Sequence, residues 1–137
     1  MKLLIIGFLI CISIIFTITY TSTFQSDPLK ESIVRGKEIY TDFCVTCHLP
    51  SGLGTENIYP PLANSDYLKN NREGSIKGIK FGQQGELVVN GKTYNNVMAP
   101  LGLSNAEIAD VMNYITNSWG NKNDEMITVE EVSKLKK

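Results

Sequence analysis

The five residues Cys44-Val45-Thr46-Cys47-His48 constrain this chain more than any other stretch of its 137 residues. Side chains three positions apart on a helix share a face, so a single helical turn presents both thiols on the same side. Two thiols placed in this way reach the two vinyl groups on one edge of a haem, and the histidine that follows reaches the iron. The spacing therefore predicts one covalent haem c per chain, attached to Cys44 and Cys47, with His48 as an iron ligand.

A Cys-x-x-Cys pair also occurs in zinc sites and in thioredoxin-like redox motifs. A closed zinc site needs about four ligands, whereas His48 is the only histidine and the third cysteine, Cys11, lies in an apolar leader. A thioredoxin-like pair follows a strand, whereas the residues before Cys44 have the periodicity of a helix. The sequence therefore favours haem attachment over both alternatives.

The second iron ligand distinguishes an electron carrier from a catalyst or gas sensor, which keeps one iron position open. With no second histidine, methionine is the natural candidate. Met1 begins the leader, Met112 falls in the apolar pattern of a C-terminal helix and Met126 lies in a polar tail. Met98 lies in an irregular loop, where ligands are commonly presented. We therefore predict Met98 as the distal ligand; the alternative is a loop methionine that fills the core.

In the order of its motifs the chain resembles small monohaem cytochromes c with His/Met ligation. It is similar to the cytochrome c subunits and domains of bacterial dehydrogenases and reductases, over about residues 30–135. The motifs that carry the resemblance are Cys44-Val45-Thr46-Cys47-His48, Pro60-Pro61-Leu62, Val89-Asn90-Gly91-Lys92-Thr93-Tyr94-Asn95, Met98-Ala99-Pro100 and Asn117-Ser118-Trp119-Gly120-Asn121. The resemblance implies an all-α cytochrome c fold, with N- and C-terminal helices packed across the haem and a small β-hairpin before the methionine loop.

The resemblance also implies that a proline carbonyl accepts a hydrogen bond from the second ring nitrogen of the proximal histidine, which fixes the ring and raises its basicity. We assign this carbonyl to Pro61, or to Pro60 if the register differs by one residue; a plain turn is the alternative. Tyr94, Asn95 and Trp119 are candidates to hydrogen-bond the haem propionates or the methionine sulfur, although packing or turn chemistry explains each equally well.

Two long helices are predicted from capping signals and periodicity. Ser26-Asp27-Pro28 is typical of a helix start, and the apolar stripe that follows contains Gly36 and Tyr40. Ser104 opens a capping box, and the buried face of this second helix is predicted to reach Trp119. In the cytochrome c family these helices cross through a small residue and aromatics, so Gly36 and Tyr40 are expected to contact the 111–115 region.

Between the two long helices the sequence predicts smaller elements. Residues 66–68 and 74–81 have the pattern of short helices. Asn90-Gly91, between residues 87–89 and 92–94, is typical of a type I′ turn and predicts a two-stranded hairpin. This hairpin is expected to lead the chain into the Met98 loop.

The chain opens with Lys2 and an almost wholly apolar stretch at residues 3–18, which is typical of an export element. The stretch is slightly short for a membrane span, yet residues 21–23 are only a weak cleavage site. We predict a signal peptide or N-terminal membrane anchor at 1–23 and a cytochrome c domain at 24–137. Cleavage is slightly favoured, and retention with membrane association through residues 3–18 stays open.

Residues 24–137 contain 12 lysines and arginines against 14 aspartates and glutamates, a formal charge of −2. This balance excludes a general nucleic-acid binder. Four cations lie close together at Lys69, Arg72, Lys77 and Lys80. They predict either a docking surface for an acidic partner or, more simply, a solvated helix face.

These features predict an electron carrier rather than an enzyme, working in the periplasm or on the outer face of the cytoplasmic membrane. Its partners are expected to be redox proteins: a dehydrogenase, an oxidase or a reductase. The alternative is a haem gas sensor or peroxidase-like protein in which Met98 is labile. A third possibility is a haem subunit that assembles a membrane complex through a retained anchor.

Overall fold

The first long helix begins at the cap that the sequence predicts. The computed structural model describes residues 27–137, so the predictions for the leader lie outside the described residues. Helix α1 is Pro28–Phe43, and the Asp27 carboxylate accepts the amides of Leu29 (3.0 Å) and Lys30 (3.4 Å). A single further turn, α2 (Val45–His48), follows directly. Within residues 27–137 no helix has the length and apolarity needed to cross a membrane.

Helix α1 crosses α5 (Asn105–Ile115) at Gly36, as predicted. The capping box is present, since Ser104 and Glu107 bond reciprocally at the start of α5. A Cβ on Gly36 would overlap the Asp110 carbonyl and approach the Tyr114 Cβ to 2.8 Å. The Tyr40 and Tyr114 rings meet beside this contact, 5.4 Å apart. The missing side chain of Gly36 therefore sets how closely the two helices approach.

A polar network that the sequence did not reveal also joins these helices. Ser32 donates to Asp110 at 2.6 Å, and the Arg35 guanidinium donates to both oxygens of the same carboxylate at 2.7 and 2.8 Å. Asn113, fully buried, donates to Ser32 and to the carbonyl of Ile127, and accepts the amide of Ile127 at 2.8 Å. Burial of a polar group costs free energy unless the group is hydrogen-bonded. Here each of these groups is hydrogen-bonded to a residue far away in the sequence.

The middle of the chain forms the predicted small elements. Helices α3 (Asp66–Asn70) and α4 (Arg72–Phe81) precede strands β1 (Leu87–Val89) and β2 (Lys92–Tyr94). The strands pair antiparallel with Leu87 opposite Tyr94. Asn90 and Gly91 connect them with φ of 50° and 74°, which is the left-handed geometry of a type I′ turn.

The second long helix ends earlier than predicted. Helix α5 stops at Ile115 rather than at Trp119. The next residues turn their side chains back: Thr116, Asn117 and Ser118 each donate to the carbonyl four residues earlier. Such local bonds compete with helix continuation. Trp119 adopts a positive φ of 51°, yet its ring still packs on Tyr40, 5.0 Å away.

A last short helix, α6 (Val129–Lys134), lies in the segment predicted to be a polar tail. Its sequence signals are a Thr128 cap, two glutamates in the first turn and a lysine in the last. Arg72 pairs with Glu131 (2.6 and 2.7 Å), and Lys80 donates to carbonyls of residues 132 and 135. Two of the four cations in the basic cluster therefore fasten α4 to α6, whereas Lys69 is exposed and Lys77 pairs with Glu73 within α4.

Candidate haem-binding site

The haem motif consists of Cys44, which caps α1, and the single turn α2 that follows it. The Cys44 amide still bonds to the Tyr40 carbonyl, and the His48 amide bonds to the Cys44 carbonyl at 3.0 Å. Both Cys44 and Cys47 are free, partly buried thiols. Together with His48 they line a cavity of about 270 Å³ between the long helices and the methionine loop. The turn thus presents the two thiols and the imidazole to the same space.

The His48 ring is held by Pro60, not by Pro61. Its Nδ1 lies 3.1 Å from the Pro60 carbonyl oxygen. The prediction of Pro61 as the acceptor is therefore wrong, and the alternative, Pro60, is correct. Pro61 lines the cavity instead. The physical reason is the loop before it: Thr55 and Tyr59 exchange backbone hydrogen bonds at 3.0 and 2.8 Å, which fixes where the next carbonyl falls.

Hydrogen bonding and burial define the protonation state of this imidazole. A carbonyl only accepts hydrogen bonds, so Nδ1 carries the proton and the lone pair on Nε2 is free to bind a metal. Burial lowers the pKa of His48, and the bond to Pro60 partly opposes this. The ring is therefore neutral at neutral pH, which is the form that ligates iron.

The buried position of Cys44 opposes ionisation of its thiol. Burial raises its pKa to about 11, with a smaller contribution from Cys47. A thiol that stays protonated at neutral pH is a poor nucleophile for disulfide exchange. Among the described residues no group of three or more histidine, cysteine or acidic side chains is placed to hold a metal ion. The residues before Cys44 also form helix α1 and not the strand that a thioredoxin-like pair follows.

Met98 lines the same cavity as the haem motif, although it follows His48 by 50 residues in the chain. It is half-buried, and its amide and carbonyl exchange hydrogen bonds with Gln83 at 3.0 and 2.8 Å. Met112 is fully buried in the core, and Met126 does not line this cavity. Of the described methionines, only Met98 shares a wall with His48.

The remaining lining suits a large planar apolar group. It consists of aliphatic, aromatic, small and neutral polar residues, and no charged side chain occurs among the described lining residues. Such a wall excludes water and leaves the ring of a porphyrin in van der Waals contact. Two thiols, a neutral imidazole and a thioether around one apolar cavity form a donor set that fits haem c.

Several supporting residues were not identified from the sequence. Gly54 lies so close to the Tyr59 and Pro60 carbonyls that a Cβ would be 2.7 Å from the Pro60 oxygen. Gly52 lies under the Trp119 ring, and the Trp119 indole donates to the Pro50 carbonyl at 3.1 Å. The Trp119 N–H is thus used by the loop that follows the haem motif. The Gly52-x-Gly54 spacing was the available signal for these close approaches.

The chain is similar to known cytochromes c. The family model for cytochrome c matches residues 33–119. Cytochrome c-552 of Thermus thermophilus is 37% identical over 110 residues, which cover 74% of this chain and 83% of that protein. The cytochrome c subunit of a quinone alcohol dehydrogenase from Gluconacetobacter polyoxogenes is 32% identical over 106 residues. A subunit of the same description from Gluconobacter oxydans is 30% identical over 105 residues.

The fold and the donor set thus define a c-type haem protein, and the chain belongs to the cytochrome c family. The aligned segment covers about three quarters of this chain but only 22% of each alcohol dehydrogenase subunit. The chain therefore corresponds to one part of those larger proteins. Family membership confirms the predicted fold, the covalent haem c and haem-mediated electron transfer.

Proposed function

We propose that this cytochrome c is a His48/Met98-ligated electron carrier and not a catalyst or gas sensor. The observation that carries the proposal is the shared cavity: Met98 and the haem motif line one apolar space although 50 residues separate Met98 from His48. When bound, the haem supplies an iron that alternates between the ferrous and ferric states. With both His48 and Met98 as iron ligands, no position would remain for an exogenous ligand.

The residues around the cavity support a carrier by what they hold in place. Pro60 keeps the proton on Nδ1 and aims Nε2 of His48 toward the cavity. Cys44 and Cys47 supply the two sulfurs for covalent attachment, and Met98 supplies the thioether. The apolar lining would keep water from a bound iron, so that the residues that hold it would not have to move when its charge changes.

The lining also argues against peroxidase-like chemistry. Cleavage of a peroxide bond needs an acid or base beside the open iron position. Histidine, arginine and carboxylate side chains are the usual groups. Apart from His48, none of them occurs among the described residues that line the cavity.

We further propose that the protein works outside the cytoplasm and exchanges electrons with a dehydrogenase, an oxidase or a reductase. The apolar leader at residues 3–18 supports export. The similarity to cytochrome c subunits of quinone alcohol dehydrogenases supports a dehydrogenase as electron donor. Mass spectrometry of the mature N-terminus tests whether residues 1–23 are removed or kept as an anchor.

The ligation is tested by absorption spectra of the haem-loaded protein, ferric and then ferrous with and without carbon monoxide. We expect a low-spin spectrum, a sulfur-to-iron charge-transfer band and no shift with carbon monoxide. Met98→Ala should lose the band. Met126→Ala is the matched control, because Met126 does not line the cavity. A high-spin wild-type spectrum or ready carbon monoxide binding would instead favour the sensor or peroxidase-like alternative.

A further inference from the structure

Lys80 joins the end of α4 to the C-terminal helix α6. Its Nζ donates to the carbonyls of Val132 (2.6 Å) and Leu135 (3.1 Å), at the last turn of α6. The Val132 carbonyl also accepts the Leu135 amide, but at 3.4 Å, and a helix as short as α6 has little stability of its own. Lys80 therefore supplies a charged cap that fixes α6 against the last turn of α4.

That last turn leads directly to the attachment point of the methionine loop. Gln83 follows Lys80 by three residues and exchanges two backbone hydrogen bonds with Met98. Gly82 lies between them, with its Cα so near the Met98 carbonyl that a Cβ would be 2.8 Å away. Among the described residues, these are the only backbone hydrogen bonds that join residues 95–103 to the rest of the chain.

We infer that Lys80 is a positioning residue for Met98. By fixing the end of α4 to α6, it holds Gln83, and through Gln83 it holds the methionine loop where the sulfur can bind iron. Lys80 is not among the residues that line the cavity, so it acts through the backbone pair and not by contact with the haem. The inference rests on the proposed function, because it takes Met98 as the distal ligand.

The test compares two lysines of α4 in the haem-loaded protein. Lys80→Met removes the ammonium but keeps the aliphatic stem. Lys77→Met is the matched control, because Lys77 pairs only within its own helix, with Glu73 at 2.8 Å. The first readout is amide hydrogen exchange at Gln83 and Met98; the second is the pH at which the charge-transfer band is lost.

We expect Lys80→Met to accelerate exchange at both amides about tenfold, because charge-assisted hydrogen bonds to two carbonyls are lost. The band should then disappear closer to neutral pH than in wild type. Lys77→Met should change exchange by less than about twofold. Lys80→Arg should behave as wild type, because a guanidinium can donate to the same two carbonyls.

Arg72→Met separates positioning from general loss of stability. Arg72 holds the same helix α6, but from the first residue of α4, far from Gln83 in the chain. We expect this variant to lower the unfolding midpoint at least as much as Lys80→Met and to accelerate exchange at Met98 less. If exchange at Met98 instead follows the loss of global stability in both variants, the positioning role is wrong.

The two proposals fail in different ways. If Met98→Ala keeps the charge-transfer band, Met98 is not the ligand and both proposals fall. If Met98→Ala loses the band but Lys80→Met exchanges like Lys77→Met, only the role of Lys80 is overturned and the ligation stands.

Discussion

The two sides of the haem cavity are held to very different degrees. On the His48 side, the segment 48–63 is bonded to itself repeatedly: Gly54 to His48, Thr55 to Tyr59, and both Leu62 and Ala63 to one carbonyl. On the Met98 side, residues 95–102 are mostly exposed, and Gln83 provides their backbone attachment within the described structure. The imidazole thus sits in a frame with many redundant supports, whereas the thioether depends on one pair of hydrogen bonds.

This contrast predicts which of the two candidate iron ligands is released first. Local opening follows the least supported backbone, so disturbance of the protein should release the methionine before the histidine. The covalent attachment reinforces the asymmetry, because Cys47 and His48 are adjacent.

Gly54→Ala should have the largest effect and act on the His48 side. Its φ is 62°, and a Cβ would overlap the Tyr59 carbonyl and press on that of Pro60. Overpacking against backbone adds to the left-handed strain, so we expect a loss of about 3 kcal/mol in unfolding free energy. Denaturant unfolding of the haem-loaded protein measures it.

Gly85→Ala is the control for Gly54→Ala, because its φ is 81° and a Cβ would meet nothing within 4 Å. It should cost only the strain of a left-handed residue, about 1 kcal/mol. Equal losses of unfolding free energy in the two variants would mean that the Tyr59 and Pro60 carbonyls move aside easily and that the loop around His48 is flexible.

Gly82→Ala is the corresponding test on the Met98 side. A Cβ there would be 2.8 Å from the Met98 carbonyl and 3.0 Å from the Pro100 ring. Because the loop is exposed and can shift, we expect a smaller loss of about 2 kcal/mol. The charge-transfer band should nevertheless weaken while the haem stays attached. An intact band together with a large loss of stability would reverse the contrast.

Acid should loosen α6 through Glu131. The Arg72 guanidinium holds the pKa of Glu131 below its ordinary 4.5, mainly by direct hydrogen bonds. The folded state therefore favours the ionised carboxylate, so this stabilisation is present above pH 4.5 and is lost as pH falls through the lowered value.

Glu131→Gln should lower the unfolding free energy by about 1 kcal/mol at neutral pH. The variant should also lose less stability than wild type as the pH is lowered. Glu130→Gln is the control, because Glu130 pairs with Lys134 on the exposed side of the same helix. Thermal unfolding from pH 7 down to pH 3 measures both variants. An unchanged loss of stability with acid in Glu131→Gln would show that other groups control the acid response.

The smallest effect is expected at Lys92, whose ammonium meets Glu56 at 2.5 Å across the surface. This pair links the hairpin to the loop that precedes Pro60, and so joins the two sides. Exposed ion pairs contribute little and are screened by salt. Lys92→Met should therefore leave the unfolding midpoint and the charge-transfer band unchanged; a clear shift in either would mean that the sides are coupled through it.

Much of the fold follows from local signals in the sequence. Asp27, Ser104 and Asn90-Gly91 start or turn elements through bonds to their nearest neighbours, so their positions were predicted correctly. Gly36 was recognised because a glycine on an apolar helix stripe indicates a close crossing. The haem motif was recognised because its five residues are consecutive.

The errors have two sources, which are local bonds that residue patterns do not reveal and contacts between distant residues. Pro60 and Pro61 look alike in the sequence, and the Thr55–Tyr59 bridge together with the close approach of Gly54 places the Pro60 carbonyl beside His48. Helix α6 is short and polar, and its contacts with α4 come from residues more than 50 positions away. The early end of α5 reflects three competing side-chain bonds that apolar periodicity does not reveal.

The polar network between α1 and α5 also bears on how the protein is made. Arg35 reaches a partner 75 residues away, and Ser32 one 81 residues away. The pocket around Cys44 and Cys47 therefore cannot close until residues 105–115 have packed on α1. While the chain is still unfolded both thiols are open to haem attachment, so the cofactor can be joined before the pocket closes around it.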